Sequence, residues 1–136
     1  MSDLADRQRR FIEVFQVGRD YAVGDALIAD NMVNHTPTPG LPPDKAGTIA
    51  FHQGLHGGIP DLTVEIEDML VDGDKVVTRK TFRGTHGGDF LGIPATGKPV
   101  SVGVIDVVRY ENGQIVEHWN QVDMFGLMQQ MGVIPS

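Results

Sequence analysis

Cysteine is absent from this sequence. Disulfides, thiolate metal sites and cysteine nucleophiles are excluded with it. The absence is compatible with a reducing compartment, and a cytoplasmic protein is expected. Basic residues are few: 11 Lys and Arg stand against 18 Asp and Glu, for a net charge of -7. The acidic residues are spread along the chain, so its surface repels phosphate backbones and anionic lipid. Nucleic acid and membrane are therefore not expected partners. No apolar run approaches the roughly 20 residues of a membrane helix. The opening residues, MSDLADRQRR, lack the apolar centre of a signal peptide.

What is present suits one globular unit. The chain has 136 residues, 40% hydrophobic and 21% charged, which is enough for a real core. It contains no internal repeat, low-complexity stretch or long linker, so residues 1–136 are read as a single domain.

The first half reads as helix. Leu4, Phe11, Val14 and Phe15 recur at helical spacing, with Ser2 as a candidate N-cap. A second short helix is expected near Arg19 to Ala29. Asn31 to His35 is extended and runs into a proline-rich loop, Thr36 to Pro43, which cannot be helical. Asp44 to Gly57 reads as a third helix capped by Asp44. From Leu62 the period becomes two. Strands are expected at Leu62–Leu70, Lys75–Arg83, Pro99–Tyr110 and Gln114–Asp123, with hairpin turns at Asp72-Gly73 and Asn112-Gly113. Met124 to Met131 forms a short closing helix. Helices first and antiparallel strands after predict an α+β fold, with helices packed on one face of a curved sheet.

A two-residue turn at Asn112-Gly113 sets a register in which Asp106 faces Trp119. One sheet face then carries Val102, Val104, Asp106, Val108, Trp119, Gln121 and Asp123. The other carries Gly103, Ile105, Val107, His118, Asn120 and Val122. The first face mixes apolar residues with two carboxylates, which suits a small-molecule pocket better than a sealed core. It is read as the cavity wall; the second face is the alternative interior, or a dimer surface. On the other hairpin Arg79 falls opposite Ile66 and beside Asp68. It either points inward with Thr81 or forms a surface pair with Asp68.

Three segments resemble the SnoaL-like polyketide cyclases: Val33-Asn34-His35-Thr36-Pro37, the loop Gly84 to Lys98, and Asn112 to Trp119 continuing through Asp123 to Gly132. The resemblance covers nearly the whole chain. It implies the cone-shaped α+β barrel shared with ketosteroid isomerase and nuclear transport factor two, with a mostly antiparallel sheet wrapped around a cavity. It also implies a cofactor-free intramolecular aldol closure, with one aspartate near the end of the last strand as general acid/base. Asp123 matches that position. Epoxide hydrolases of this fold add an Arg/Asp pair on another strand. Arg79 is available for that pair, but Thr81 stands where the second aspartate belongs.

Asp123 in an apolar pocket would have its pKa raised by desolvation and could move a proton in both directions. His86, in the glycine-rich loop, either donates to a substrate carbonyl or pins its own loop. Asn34 and His35 are candidates for ligand contacts at the cavity mouth, Asn34 alternatively as a turn cap. Trp119 and Gln121 are candidate wall residues, Trp119 alternatively plain core. Asp106 orients another group, binds ligand hydroxyls or is structural, and His118 lies on the opposite face. His52 and His56 sit four apart on a helix but lack a third ligand, so a solvated face is expected rather than a metal site. No cofactor is implied. The expected partners are a small apolar or aromatic molecule and a second copy of the chain. A non-catalytic ligand-binding protein of the same fold is the alternative.

Overall fold

The computed structural model describes residues 2–135. The Ser2 side chain, the expected first cap, lies outside the described residues. Helix α1 (Ser2–Arg10) continues directly into a π-helical stretch, Phe11–Val17. Hydrogen bonds there reach five residues back, as in Gly18 N–H to the Glu13 carbonyl at 3.0 Å. The wider turn buries Phe11, Ile12, Phe15 and the polar Gln16 together. Helix α2 (Tyr21–Leu27) is capped by the Asp20 carboxylate, which accepts from Val23 N–H at 3.1 Å. Strand β1 (Ile28–Asn34) and helix α3 (Lys45–Gly58) follow, α3 capped by Asp44 as expected. Strands β2 (Thr63–Asp72), β3 (Lys75–Thr85), β4 (Pro99–Glu111) and β5 (Gln114–Val122) lead to helix α4 (Met124–Gln130).

The five strands form one sheet in the order β1-β5-β4-β3-β2. Strand β1 pairs parallel to β5, and the other pairs are antiparallel. The β4–β5 hairpin turns at Asn112 and Gly113, whose φ angles of 53° and 77° are the pair a type I′ turn requires. The β2–β3 turn is Gly73-Asp74, one residue later than the Asp-Gly signal, with Asp72 paired to Lys75.

Two bulges overturn the register read from the turns. In β5 the pairing starts as expected, with Tyr110 opposite Ile115, but Arg109 then meets Glu117 and leaves Val116 as an extra residue. Asp106 therefore faces Asn120, and Val107 faces Trp119. Because side chains alternate, a one-residue slip turns every later β5 side chain to the opposite face. His118, Asn120 and Val122 turn inward; Trp119 and Gln121 turn outward. In β2, Ile66 pairs with Lys80 and Asp68 with Arg79, leaving Glu67 bulged. Ile66 stays inside, while Leu70, expected inside, is 66% exposed.

The interior holds two apolar clusters. One gathers Phe11, Phe15, Ile28 and Met32 against Val76, Val108 and Tyr110. The other gathers Leu55, Ile59 and Phe82 against Phe90, Val102 and Leu127. A fully buried side chain such as Phe15 contributes about 1.5–3 kcal/mol. Gly24 of α2 lies against that ring: a Cβ there would come within 2.4 Å of Phe15 Cδ1. Alanine normally favours a helix over glycine by about 1 kcal/mol. Here Gly24→Ala is expected to lower stability by about 1–3 kcal/mol, through overpacking of Phe15. Chemical denaturation decides it, and an increase in stability would show that the ring yields freely.

Candidate functional site: a cavity with a buried polar chain

A cavity of about 590 Å³ touches both clusters. Its wall is largely apolar, with Phe11, Phe51, Phe82 and Phe90 among its residues. Its exposed members Pro37, Pro39, Pro42 and Leu91 mark where it meets solvent, so the proline-rich loop forms part of the rim.

Across this apolar wall runs a chain of polar side chains. Lys80 (β3) is 1% exposed, and its Nζ lies 2.5 Å from Asp106 Oδ2 (β4). Nζ also donates to Gln16 Oε1 at 2.9 Å. Gln16 Nε2 donates to His52 Nε2 at 3.1 Å, and His52 Nδ1–H donates to the Thr48 carbonyl at 2.8 Å. On its other side Asp106 Oδ1 accepts from His118 Nε2 (β5) at 2.8 Å. His118 Nδ1 then lies 3.0 Å from Asn34 Oδ1. The amide orientation of Asn34 is fixed, because the same oxygen accepts the Thr36 backbone N–H at 3.0 Å. Both ring nitrogens of His118 thus face oxygens that can only accept, and the doubly protonated ring satisfies both.

Burial pushes the Asp106 carboxyl upward. The Lys80 ammonium and the His118 hydrogen bond outweigh it and hold the group well below the usual carboxylate range. Burial also pushes His52 down to about 3, against the Thr48 hydrogen bond. His52 is therefore neutral, as its position between a donor and an acceptor requires. His56 is also buried. Its Nε2 donates to the Gln16 carbonyl at 2.6 Å, and its Nδ1 accepts from the Tyr21 hydroxyl at 2.5 Å. The pair expected on a solvated helix face instead anchors the π-helical turn that carries Gln16.

Of the residues singled out from sequence, Asn34 and Asp106 line this cavity. Asp123 does not: it is exposed and caps α4, accepting from Gly126 N–H at 3.0 Å. Trp119 and Gln121 lie on the outer face because of the Val116 bulge, and Trp119 stacks on His35 at 4.6 Å. His35 follows Asn34 and so turns outward to Glu117, at 2.8 Å. Arg79 is on the surface, paired with Asp68 at 2.6 Å, and neither residue lines the cavity. Arg79, Gln121 and Asp123 meet instead in a shallow outer depression. His86 is fully buried in its loop. Its Nδ1 lies 3.0 Å from Thr96 Oγ1, and its Nε2 donates to the Ile93 carbonyl at 3.2 Å. Sequence reasoning missed Lys80 and Gln16, and set His118 on the face opposite the chosen cavity wall. Only Lys80 left a signal, falling in phase with Val76, Thr78 and Phe82 on the buried face of β3.

A sequence model of the SnoaL-like polyketide cyclases matches residues 5–131. The aklanonic acid methyl ester cyclase DauD of Streptomyces sp. (strain C5) is 26% identical over 97% of this chain and 83% of its own. DnrD of Streptomyces peucetius, also an aklanonic acid methyl ester cyclase, is 26% identical over 97% of this chain and 92% of its own. Among solved structures, TsrD from Streptomyces laurentii superposes with a TM-score of 0.88 at 30% identity, covering 98% of each chain. IdmH from Streptomyces antibioticus gives 0.82 at 32% identity, over 95% of this chain and 98% of its own. The fold is the cone-shaped α+β barrel of these proteins.

The neutral His52 has a measurable consequence. The unfolded ring takes up a proton near its ordinary 6.5, and the folded ring only near 3. Between these values the unfolded chain binds the extra proton, so stability falls as pH falls. His56 is shifted in the same direction. The melting temperature is expected to drop between about pH 6.5 and pH 4.5, above the range where carboxylates titrate. His52→Gln should flatten part of that slope. A flat profile in calorimetry would show that His52 is protonated in the folded protein.

Proposed function

Since the chain belongs to the SnoaL-like polyketide cyclase family, we propose that it closes or isomerises a small apolar carbonyl compound in this cavity by cofactor-independent acid/base chemistry, with His118 as the proton-transfer group. One observation carries the reading: the His118 ring, 21% exposed, reaches the cavity while a buried carboxylate holds its Nε2. Asp106 is too acidic to take a proton from carbon, and its role is to orient the ring. Nδ1 is the atom left for substrate, since it meets only the amide oxygen of Asn34. A substrate carbonyl replaces that oxygen as the partner of Nδ1.

Aldol-type closure removes a proton from carbon beside one carbonyl, joins that carbon to a second carbonyl carbon, and protonates the alkoxide formed. Nδ1 serves both transfers, as base when neutral and as acid when charged. Asn34 and Asn120 supply amides beside the reacting oxygen, and the phenylalanine-lined wall excludes water. The role that the family resemblance assigns to Asp123 passes in this reading to His118.

Aklanonic acid methyl ester, named for the relatives DauD and DnrD, is the first substrate to assay. His118→Gln is expected to cost about 10²–10⁴-fold in kcat. Asp123→Asn should leave kcat within a few-fold, because asparagine also caps a helix. Loss of activity in Asp123→Asn with His118→Gln still active would overturn the assignment. Binding without turnover would identify a ligand-binding protein of the same fold.

We further expect a homodimer formed across the outer sheet face, where Ile105 is 46% exposed. Val122, expected on that surface, lines the cavity instead. A monomer by gel filtration at high concentration would exclude the dimer.

A further inference from the structure

Charge accounting in the cavity goes beyond the proton-transfer role of His118, on which it rests. Four ionisable side chains line the cavity among the described residues: Lys80, Asp106, His52 and His118. Lys80 and Asp106 cancel in their 2.5 Å ion pair. His52 carries no charge, because it donates through Nδ1 to Thr48 and accepts through Nε2 from Gln16. His118 faces an acceptor at each nitrogen, Asp106 at 2.8 Å and Asn34 at 3.0 Å. Satisfying both requires two ring protons and adds a second positive charge. The single carboxylate is shared between two cations, and the exposed rim residues Pro37, Pro39, Pro42 and Leu91 are neutral.

We propose that the cavity takes its substrate as an anion, the ionised enol of a β-dicarbonyl or another vinylogous acid, and that this anion balances the surplus charge of His118. An apolar wall strengthens the selection, since an unbalanced cation is poorly solvated there. The enolate oxygen takes the place of Asn34 Oδ1 at His118 Nδ1.

The proposal fixes the order of proton transfer. The bound pair is an enolate with an imidazolium. The enolate carbon forms the new C–C bond as the π bond of the second carbonyl breaks. The resulting alkoxide takes the Nδ1 proton, leaving neutral imidazole. That imidazole regains its charge by taking one proton from solvent, which replaces the proton carried off by the alcohol, and the next substrate enters already ionised.

The test compares lawsone, a hydroxynaphthoquinone that is a vinylogous acid and an anion at neutral pH, with its neutral methyl ether. Binding is read by calorimetry on the full chain, without turnover, so its outcome does not depend on the cyclase assay. Lawsone is expected to bind at least about ten-fold more tightly than the ether. Asn34→Asp keeps the acceptor to His118 and adds the missing negative charge. It should abolish the preference by weakening lawsone at least about ten-fold more than the ether. His118→Gln, which removes the cation, should abolish the preference as well and serves if the first variant fails to fold. Equal affinity of the wild type for both probes, no binding of lawsone at millimolar concentration, or a preference that survives in the folded variants would overturn the proposal.

Discussion

The ion pair between Lys80 and Asp106 is the constraint around which the interior is organised. Two charges with almost no solvent access stand in a largely apolar cavity wall. Removing each from water costs several kcal/mol, and their attraction offsets this only if the remaining donors and acceptors are also satisfied. Gln16 and His118 supply those partners from opposite sides. Losing one member would leave its partner charged, buried and alone, at about 3–5 kcal/mol. The pair therefore ties the π-helical turn, α3, β3, β4 and β5 into one arrangement.

Each outer partner is held in turn. Gln16 is presented by a widened turn whose own carbonyl is bonded by His56. His52 fixes the Gln16 amide by offering a bare nitrogen, which its depressed pKa keeps available. On the other side Thr36 fixes Asn34, and Asn34 fixes the donor state of His118. Such a chain has one satisfied arrangement, so it specifies rotamers as well as contributing energy. The partly exposed end of the chain is His118, and that is where a ligand can enter it.

Much of the fold was legible in the sequence. Helical spacing, the cap Asp44, the prolines from Pro37 to Pro43 and the Asn112-Gly113 turn are local signals, and each appears where local chemistry requires it. Part of the site was legible too. Asp106 stands among valines on one face of its strand, and Asn34 ends a strand before a proline-rich loop. The family resemblance identified the fold, yet the residue it put forward for catalysis, Asp123, serves here as an exposed helix cap.

What the sequence determined by itself is the set of elements, their order and the turns between them, because these follow from spacing and residue type over a few positions. What only the tertiary structure decided is which side chains meet inside. The bulges at Glu67 and Val116 carry no sequence mark, for neither residue is unusual in a strand. Each shifts the alternation by one position. A shift of one exchanges Trp119 for His118 at the cavity wall, since a period of two retains no memory of its phase across a bulge.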